Sequence, residues 1–227
     1  MKTISRKSIT QIVDEQVKKW NYEQTQSKPE KKPLPIVTIS REPGSGGRLV
    51  AEGIAETLGL DLFHQEVIHE MAKSAKVSTR IVESLDEKGL SMIEDWIASA
   101  VHHRHLWPDE YLQHLLKVIG TIGKHGRAVI VGRGANYILP AWNRFRVRII
   151  APKDLRAEKV GSAYGLSTKE AEKRILKTES ERFAFVRKYF HADIAAPGNY
   201  DIILNTGSIK ISEAVAAVCC ILNQTRM

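Results

Sequence analysis

The sequence predicts an α/β fold built around a parallel sheet, because short apolar runs alternate with longer segments of helical periodicity. Four runs, at 36–40, 128–132, 146–151 and 200–205, have the length and β-branched composition of buried parallel strands. The chain has 227 residues, 43% of them hydrophobic, which suits one α/β domain with a small appendage. We do not expect a second full domain.

The first element is a short amphipathic helix over residues 8–20, where Ser8 and Gln11 fit a capping box. The apolar positions of one helical face are Ile9, Ile12, Val13, Val17 and Trp20. Residues 21–35 are polar, charged and proline-bearing, which indicates a linker. We therefore predict an N-terminal appendage at 1–35 that docks on its own subunit or, alternatively, on a partner as a homo-oligomer contact.

A glycine-rich turn directly follows the first predicted strand and leads into a helix at 48–58, with Gly59 as its C-cap. The residues of the turn are Gly44, Ser45, Gly46 and Gly47. Backbone N–H groups and the positive end of a helix dipole bind phosphate at such a turn, and glycine permits close approach and positive φ angles. We predict a nucleotide phosphate site; an ordinary strand-to-helix turn is the alternative.

The loop lacks two residues of a complete Walker A motif, which ends in Gly-Lys followed by Ser or Thr. If Gly47 is the last loop glycine, Arg48 takes the lysine position and Leu49 the hydroxyl position. If Gly46 is the last loop glycine, the two positions fall to Gly47 and Arg48. Either way, lysine and the usual magnesium-binding hydroxyl are missing.

Two arginines that flank the loop, Arg41 and Arg48, are candidates to supply the missing positive charge. Pairing with a neighbouring carboxylate such as Glu42 is the alternative for either. The magnesium ligands stay unassigned, since Ser45, Ser40 or water alone would have to replace the absent hydroxyl.

The net charge of +8 is concentrated between Arg144 and Lys188, where thirteen Lys and Arg face six Asp and Glu. Arg182 and Arg187 lie five residues apart on a predicted helix of this segment and can close over phosphates as a lid. A solvated basic helix face is the alternative. The charge would also suit nucleic acid, but the interleaved aromatic residues are more typical of helix packing.

Candidate acceptor residues lie after the second predicted strand and at the start of the helical stretch 64–125, which we expect to be broken near Gly89 and Pro108. Arg133 follows the strand at its carboxyl end, where α/β sheets bind ligands, so we assign it to an acceptor phosphate. Asn136 can bond to a base or to its own loop. His64 and Glu66 can face the acceptor, and an ordinary helix face is the alternative reading.

No apolar run approaches the roughly 20 residues that a membrane span needs, and the N-terminus is polar and basic. We therefore expect a cytoplasmic protein without a membrane partner.

Four segments, in this order, resemble the cytidylate kinase-like family. They are SREPGSGGR (40–48), AVIVGRGANYIL (128–139), ESERFAFVRKYF (179–190) and YDIILNTG (200–207). The resemblance implies a P-loop NTPase three-layer sandwich over 36–227. Within it, a helical acceptor-binding insert would span 64–125 and a basic helical lid 152–198.

The resemblance also implies phosphoryl transfer from ATP to a nucleoside monophosphate, with Mg²⁺ as an expected cofactor and small-molecule nucleotides as partners. Cytidylate is the reference acceptor of the family, so CMP or dCMP is the expected substrate. Catalytic roles would then fall to Arg48, Arg182 and Arg187. The incomplete loop keeps a second hypothesis open, a catalytically degenerate nucleotide-binding regulatory protein.

The acceptor residues depart most from the family pattern. A gapless alignment puts His64, Gln65 and Glu66 where a standard cytidylate kinase has Asp-Ser-Gly. Arg133 matches the arginine of a Gly-Arg-Asp motif, but Gly134 replaces the aspartate. The sequence therefore leaves another phosphorylated or hydroxyl acceptor open.

Overall fold

The computed structural model describes residues 7–26, 35–104 and 109–224. Its centre is a five-stranded parallel sheet with the strand order β2-β3-β1-β4-β5. The strands are β1 (Ile36–Arg41), β2 (Asp61–Phe63), β3 (Ala128–Val131), β4 (Arg144–Ile150) and β5 (Ile202–Asn205). The four predicted strands are confirmed, whereas β2 has only three residues and carries too little pattern to be found from sequence.

Helices connect the strands and cover both faces of the sheet. They are α1 (Ile9–Gln26), α2 (Gly47–Leu58), α3 (Gln65–Lys73), α4 (Ala75–Val82), α5 (Glu87–Arg104), α6 (Glu110–His125), α7 (Ala135–Ile138), α8 (Lys153–Tyr164), α9 (Thr168–Phe190) and α10 (Ile211–Gln224). Two 3₁₀ turns lie at Ala141–Asn143 and Pro197–Asn199. Gly59 caps the carboxyl end of α2 in the left-handed conformation, as predicted.

The strand side chains alternate between two cores, because successive residues of a strand point to opposite faces. Val129 and Val131 of β3 join the core under α2 and α10. Ala128 and Ile130 join the core under α6, with α3 and α7 alongside. The predicted three-layer α/β sandwich with a parallel sheet is therefore confirmed.

Among the described residues between β2 and β3, the structure has four helices, α3 to α6. Ser74 ends α3 and caps α4, accepting a hydrogen bond from the Val77 backbone N–H. The next break covers residues 83–86, so the break predicted near Gly89 comes a few residues too late, and Gly89 itself lies inside α5. The predicted break at Pro108 lies outside the described residues.

The N-terminal helix begins as predicted and ends later. The Ser8 backbone N–H donates to Gln11 Oε1 at 2.8 Å and the Gln11 N–H to Ser8 Oγ at 3.2 Å, which is the predicted capping box. The helix continues to Gln26, so the prediction of a linker was wrong for residues 21–26.

The apolar face of α1 packs on the main body of the same chain. Val13, Val17 and Trp20 are buried in the core that also contains the α3 and α6 side chains. Gln16 donates to Asp61 at 2.6 Å, and Lys19 pairs with the same carboxylate. Docking on the own subunit, one of the two predicted outcomes, is therefore what the structure shows, and this face is covered within the chain.

Among the described residues, the structure contains no helix with both the length and the apolar character of a membrane-spanning segment.

His125, at the end of α6, is a half-buried neutral histidine that links α1 to the main body. Its ring stacks on Trp20 with centroids 4.0 Å apart, and Nε2 lies 2.8 Å from the Ser84 hydroxyl. Burial, and secondly the charge of Lys124, lower the pKa of His125 from 6.5 to about 4. The folded state therefore binds this proton less well than the unfolded state does.

We expect the free energy of unfolding to fall as the pH drops from 6.5 towards 4, because protonation of His125 then favours the unfolded chain. His125→Phe keeps a ring against Trp20 but removes the titrating group, so its loss of stability over this range should be smaller. Urea unfolding at several pH values measures both. His191→Asn, at an exposed histidine, serves as the control. An equally steep dependence in His125→Phe would contradict the assignment.

Candidate active site

The glycine loop joins the end of β1 to the start of α2, and its shape requires glycine. Gly44 and Gly46 have φ angles of 81° and 74°, in the left-handed region that side chains disfavour. A Cβ atom on Gly44 would lie 2.6 Å from the carbonyl oxygen of Arg156, and one on Gly46 would lie 2.7 Å from Ile211 Cδ1. The loop thus brings bare backbone to the amino end of α2, where helices bind anions.

Ser45 stabilises this loop through hydrogen bonds on its buried side. Its side chain is fully buried, and its hydroxyl donates to the Glu42 carbonyl at 2.8 Å. Thr206, just after β5, donates its own hydroxyl to the Ser45 carbonyl at 2.7 Å. Ser40, at the end of β1, accepts a hydrogen bond from Arg148 at 2.8 Å. Both serine hydroxyls therefore have structural partners, which argues against either as a metal ligand.

The structure decides between the two alignments with a Walker A motif. Gly46 is the left-handed residue that precedes α2, and Gly47 is the first helical residue. Gly46 is therefore the last loop glycine, so Gly47 takes the lysine position and Arg48 the hydroxyl position. The Arg48 side chain is 70% exposed and its Nε donates to Glu52 at 2.9 Å. It lies at the rim of the site with a carboxylate partner.

A cleft of about 760 Å³ opens in front of the loop, which is within the size range of small-molecule sites. We call it the loop cleft. Its walls come from the glycine loop, the start of α3, and the facing sides of α8 and α9. The cleft therefore lies between the glycine loop on one side and α8 and α9 on the other.

A second cavity of about 140 Å³, which we call the inner pocket, lies behind the loop cleft. It is lined by Arg133 and Asn136 after β3 and by Phe185 of α9. Arg41 and Arg182 line both cavities, and with Gln65, Thr178 and Glu181 they form the wall between them. Two ligands, one in each cavity, would therefore meet at these two guanidinium groups.

The positive charge of this wall is only partly balanced. Within the described part of the chain, the Arg41 guanidinium makes no ion pair. The charge of Glu66 acts on both Arg41 and Arg182, and the charge of Glu179 also acts on Arg182. Burial first, then the charge of Arg182, lower the pKa of Arg41 to about 9, so it is still charged at neutral pH. Burial also lowers the pKa of Arg182. An anion between the two would relieve this electrostatic stress.

Arg182 and Arg133 are held in place by backbone carbonyls. Arg182 Nη1 donates to the Arg41 carbonyl at 2.7 Å, which ties α9 to the end of β1. Arg133 Nε donates to the Gln65 carbonyl at 3.4 Å, and its guanidinium lies 5.4 Å from the centre of the Phe185 ring. Neither contact neutralises the charge, so both groups can still bind a phosphate.

Two other buried arginines already have carboxylate partners. Arg156 Nη1 donates to Glu179 at 2.6 Å, and its Nε lies 3.3 Å from Glu42. Arg148 Nη2 lies 3.9 Å from the same Glu42 carboxylate. These pairs join the loop to β4 and α9, so Arg148 and Arg156 support the site rather than line its cavities. Glu42 pairs with them, and not with Arg41 or Arg48.

At the start of α3, the residues that line the two cavities are not all the ones that the sequence predicts. Gln65, which was not among the predicted site residues, lines both cavities, and Glu66 lines the loop cleft but not the inner pocket. His64 lines neither, and its Nε2 lies 3.6 Å from Glu52 beside Arg48. Burial, followed by the charge of Arg48, lowers the pKa of His64. Helix α3 starts at Gln65, so His64 turns away from the residues that follow it.

Asn136 is 8% exposed and lines the inner pocket. Its side-chain nitrogen Nδ2 is buried and has no hydrogen-bond partner among the described residues. Because buried polar groups are almost always hydrogen-bonded, an unpartnered amide in a pocket wall marks a contact that a ligand can complete.

Arg187 does not join the other arginines. It is exposed and lines a separate surface cleft with Phe183 and His191. The five residues from Arg182 to Arg187 turn about 140° around the helix axis, so the two side chains leave α9 on different sides. The structure therefore brings Arg41, Arg133 and Arg182 together and leaves Arg187 outside.

Known proteins resemble this chain over most of its length. The cytidylate kinase-like family matches residues 36–208. A cytidylate kinase from Ignicoccus hospitalis is 24% identical over 173 residues, covering 76% of this chain and 90% of that relative. A cytidylate kinase from Pyrococcus horikoshii is 27% identical over 172 residues, covering 75% of this chain and 79% of that relative.

The fold is also found in a solved structure. It belongs to an uncharacterized protein from Eubacterium ventriosum and superimposes with a TM-score of 0.58 at 22% identity, covering 83% of this chain and 98% of that one. With the glycine loop before α2, the order of the parallel strands and the match over residues 36–208, the chain belongs to the cytidylate kinase-like family of P-loop proteins.

Proposed function

We propose that this protein is an ATP-dependent phosphotransferase that moves the γ-phosphoryl group of ATP to a nucleoside monophosphate. One observation carries the proposal: two adjoining cavities share a wall that contains the guanidinium groups of Arg41 and Arg182. The triphosphate of ATP would lie on the glycine loop in the loop cleft. The phosphate of the acceptor would lie in the inner pocket, beside Arg133.

In the proposed reaction, a phosphate oxygen of the acceptor attacks the γ-phosphorus of ATP. The new P–O bond forms while the bond to the β,γ-bridging oxygen breaks, and its electron pair stays on the oxygen of ADP. The products are ADP and a nucleoside diphosphate. The protein supplies alignment and positive charge rather than covalent chemistry, which suits a site walled by guanidinium groups.

Magnesium, when bound, would supply positive charge that offsets the charge developing on the transferred group. In phosphotransferases this ion is held mainly by the phosphates and water, with one or two carboxylates. Glu66 lines the loop cleft and fits that part. Burial disfavours its ionisation, but hydrogen bonds from its own backbone N–H and from Gln65, with the charge of Arg41, lower its pKa overall. Glu66 is therefore the carboxylate we propose for the metal.

CMP or dCMP is the acceptor that we propose. Two relatives that match most of the chain are cytidylate kinases. The unpartnered Asn136 amide in the inner pocket can exchange hydrogen bonds with the edge of a base. At about 140 Å³ the inner pocket is smaller than a usual nucleotide site, so the acceptor must widen it, as closing kinases do when they bind substrate.

We expect the full chain, with ATP and Mg²⁺, to form ADP and a nucleoside diphosphate in equal amounts from CMP or dCMP, and more slowly from UMP, AMP or GMP. Chromatography of the nucleotides after multiple turnovers measures both products. A reaction without an acceptor is the control for ATP hydrolysis. Tight ATP binding without any diphosphate from the panel would contradict the proposal and favour the regulatory alternative instead.

A further inference from the structure

The side chain of Arg41 extends across the carboxyl ends of β1 and β3 between two glycines. A Cβ atom added to Gly47 would lie 2.5 Å from the Arg41 Cβ and 3.0 Å from its Cγ. A Cβ atom added to Gly132, at the end of β3, would lie 2.6 Å from Arg41 Nη1. The aliphatic part of the Arg41 side chain passes Gly47, and the guanidinium reaches Gly132. Any other residue at either position would place a Cβ atom in the space that Arg41 occupies.

Gly47 is the residue that stands in the position of the Walker A lysine. In a complete motif that lysine reaches the β- and γ-phosphates. Here a side chain at position 47 and the present path of Arg41 exclude each other. The guanidinium of Arg41 lies instead in the wall between the loop cleft and the inner pocket. Under the proposed function, this is where the transferred phosphoryl group passes.

We propose that Arg41 and Gly47 form an exchanged pair: Arg41 supplies the cation that contacts the transferred phosphoryl group, and Gly47 is glycine to leave it room. The inference rests on the proposed function and deepens it. It makes Arg41 a catalytic residue and assigns no such role to Arg48.

Three features of the site support this role for Arg41. Its guanidinium makes no ion pair within the described residues, whereas Arg48 donates to Glu52 and is mostly exposed. The hydrogen bond from Arg182 to the Arg41 carbonyl fixes the backbone from which the side chain starts. An arginine fork can also bind two phosphate oxygens at once, which a lysine cannot do.

The test uses the full chain with Arg41→Ala, Gly47→Lys and the double variant Arg41→Gly/Gly47→Lys. Calorimetry with ATP and with inorganic tripolyphosphate measures binding, and the rate of diphosphate formation measures turnover. Gly198→Ala is the matched control, since Gly198 is exposed and nothing lies within 4 Å of its added Cβ. Thermal melting of each variant checks folding.

We expect Arg41→Ala to lower turnover about a hundred-fold and to weaken tripolyphosphate binding about ten-fold. Gly47→Lys alone should lose a similar factor, because its Cβ displaces Arg41. The double variant should recover at least ten-fold over Gly47→Lys, since removing the arginine frees the path of the lysine. The remaining neighbour, Ile149, lies 3.3 Å from that Cβ, which a small shift relieves.

The exchanged pair of Arg41 and Gly47 would be overturned by either of two results. One is unchanged tripolyphosphate binding and turnover in Arg41→Ala, and the other is wild-type turnover in Gly47→Lys alone. If the Gly47 variants melt early, the Arg41→Ala measurements decide alone. The proposed function has a separate outcome. If the wild type binds tripolyphosphate through Arg41 but forms no diphosphate, Arg41 is still a phosphate-binding residue and the kinase activity is contradicted. A wild type that binds neither ATP nor tripolyphosphate contradicts both.

Discussion

Arg182→Ala is expected to lower kcat/KM for phosphoryl transfer about a thousand-fold, which is the scale on which a transition-state arginine acts in related chemistry. Arg182 lines both cavities and bonds to the Arg41 carbonyl, so its loss removes a positive charge and loosens a second one. Steady-state kinetics with ATP and CMP, together with calorimetry for each ligand, measure the effect. Most of the loss should appear in kcat, because the charge of the moving group is largest in the transition state.

Lys177→Ala provides the matched control on the same helix. Lys177 lies five residues before Arg182, is exposed and belongs to the lining of neither cavity. We expect turnover within about two-fold of wild type, as for an ordinary surface residue. The turnover of Arg182→Lys should lie between those of Arg182→Ala and Lys177→Ala, since lysine keeps the charge but lacks the planar guanidinium. Equal activity of Arg182→Ala and Lys177→Ala would show that Arg182 takes no part in catalysis.

The sheet could be predicted from sequence because buried parallel strands leave a local signal. β1 opens with four β-branched residues and ends in Arg41, and β3 is a continuous apolar run followed at once by Gly132, at the edge where ligands bind. β2 pairs with β3 through only three residues, and no periodicity can be recognised in so short a run. The length of α1 was underestimated because an exposed polar helix and a polar linker have the same composition.

The site could be predicted as far as backbone geometry determines it. The positive φ angles of the loop follow from its glycines, so Gly44 and Gly46 were found. The directions of long side chains do not follow from spacing. Arg187 turns to another surface and Arg48 lies at the exposed rim of the loop cleft, whereas Arg41 reaches inward because Gly47 and Gly132 leave space for it. That space depends on two strands far apart in sequence.

Arg156→Met is expected to lower the free energy of unfolding by about 3 kcal/mol, because it leaves two carboxylates without their main partner. The Arg156 side chain is 9% exposed and lies between Glu179 of α9 and Glu42 of the loop. Its Nε also donates to the Ala151 carbonyl at 2.9 Å. Chemical denaturation measures the loss, and for a chain of this size the melting temperature should fall by roughly 6–12 °C.

A double-mutant cycle separates the ion pair from simple loss of packing. Glu179→Gln removes the charge that Arg156→Met leaves unpaired, so the double variant should be more stable than the sum of the single losses predicts. Arg80→Met is the control, because the Arg80 side chain is 57% exposed in its pair with Asp14, and such pairs contribute less than about 1 kcal/mol. Additive losses, or a loss at Arg156 no larger than at Arg80, would show that this pair does not fasten α9 to the loop. In that case the position of Arg182 would have to depend on its bond to Arg41 alone.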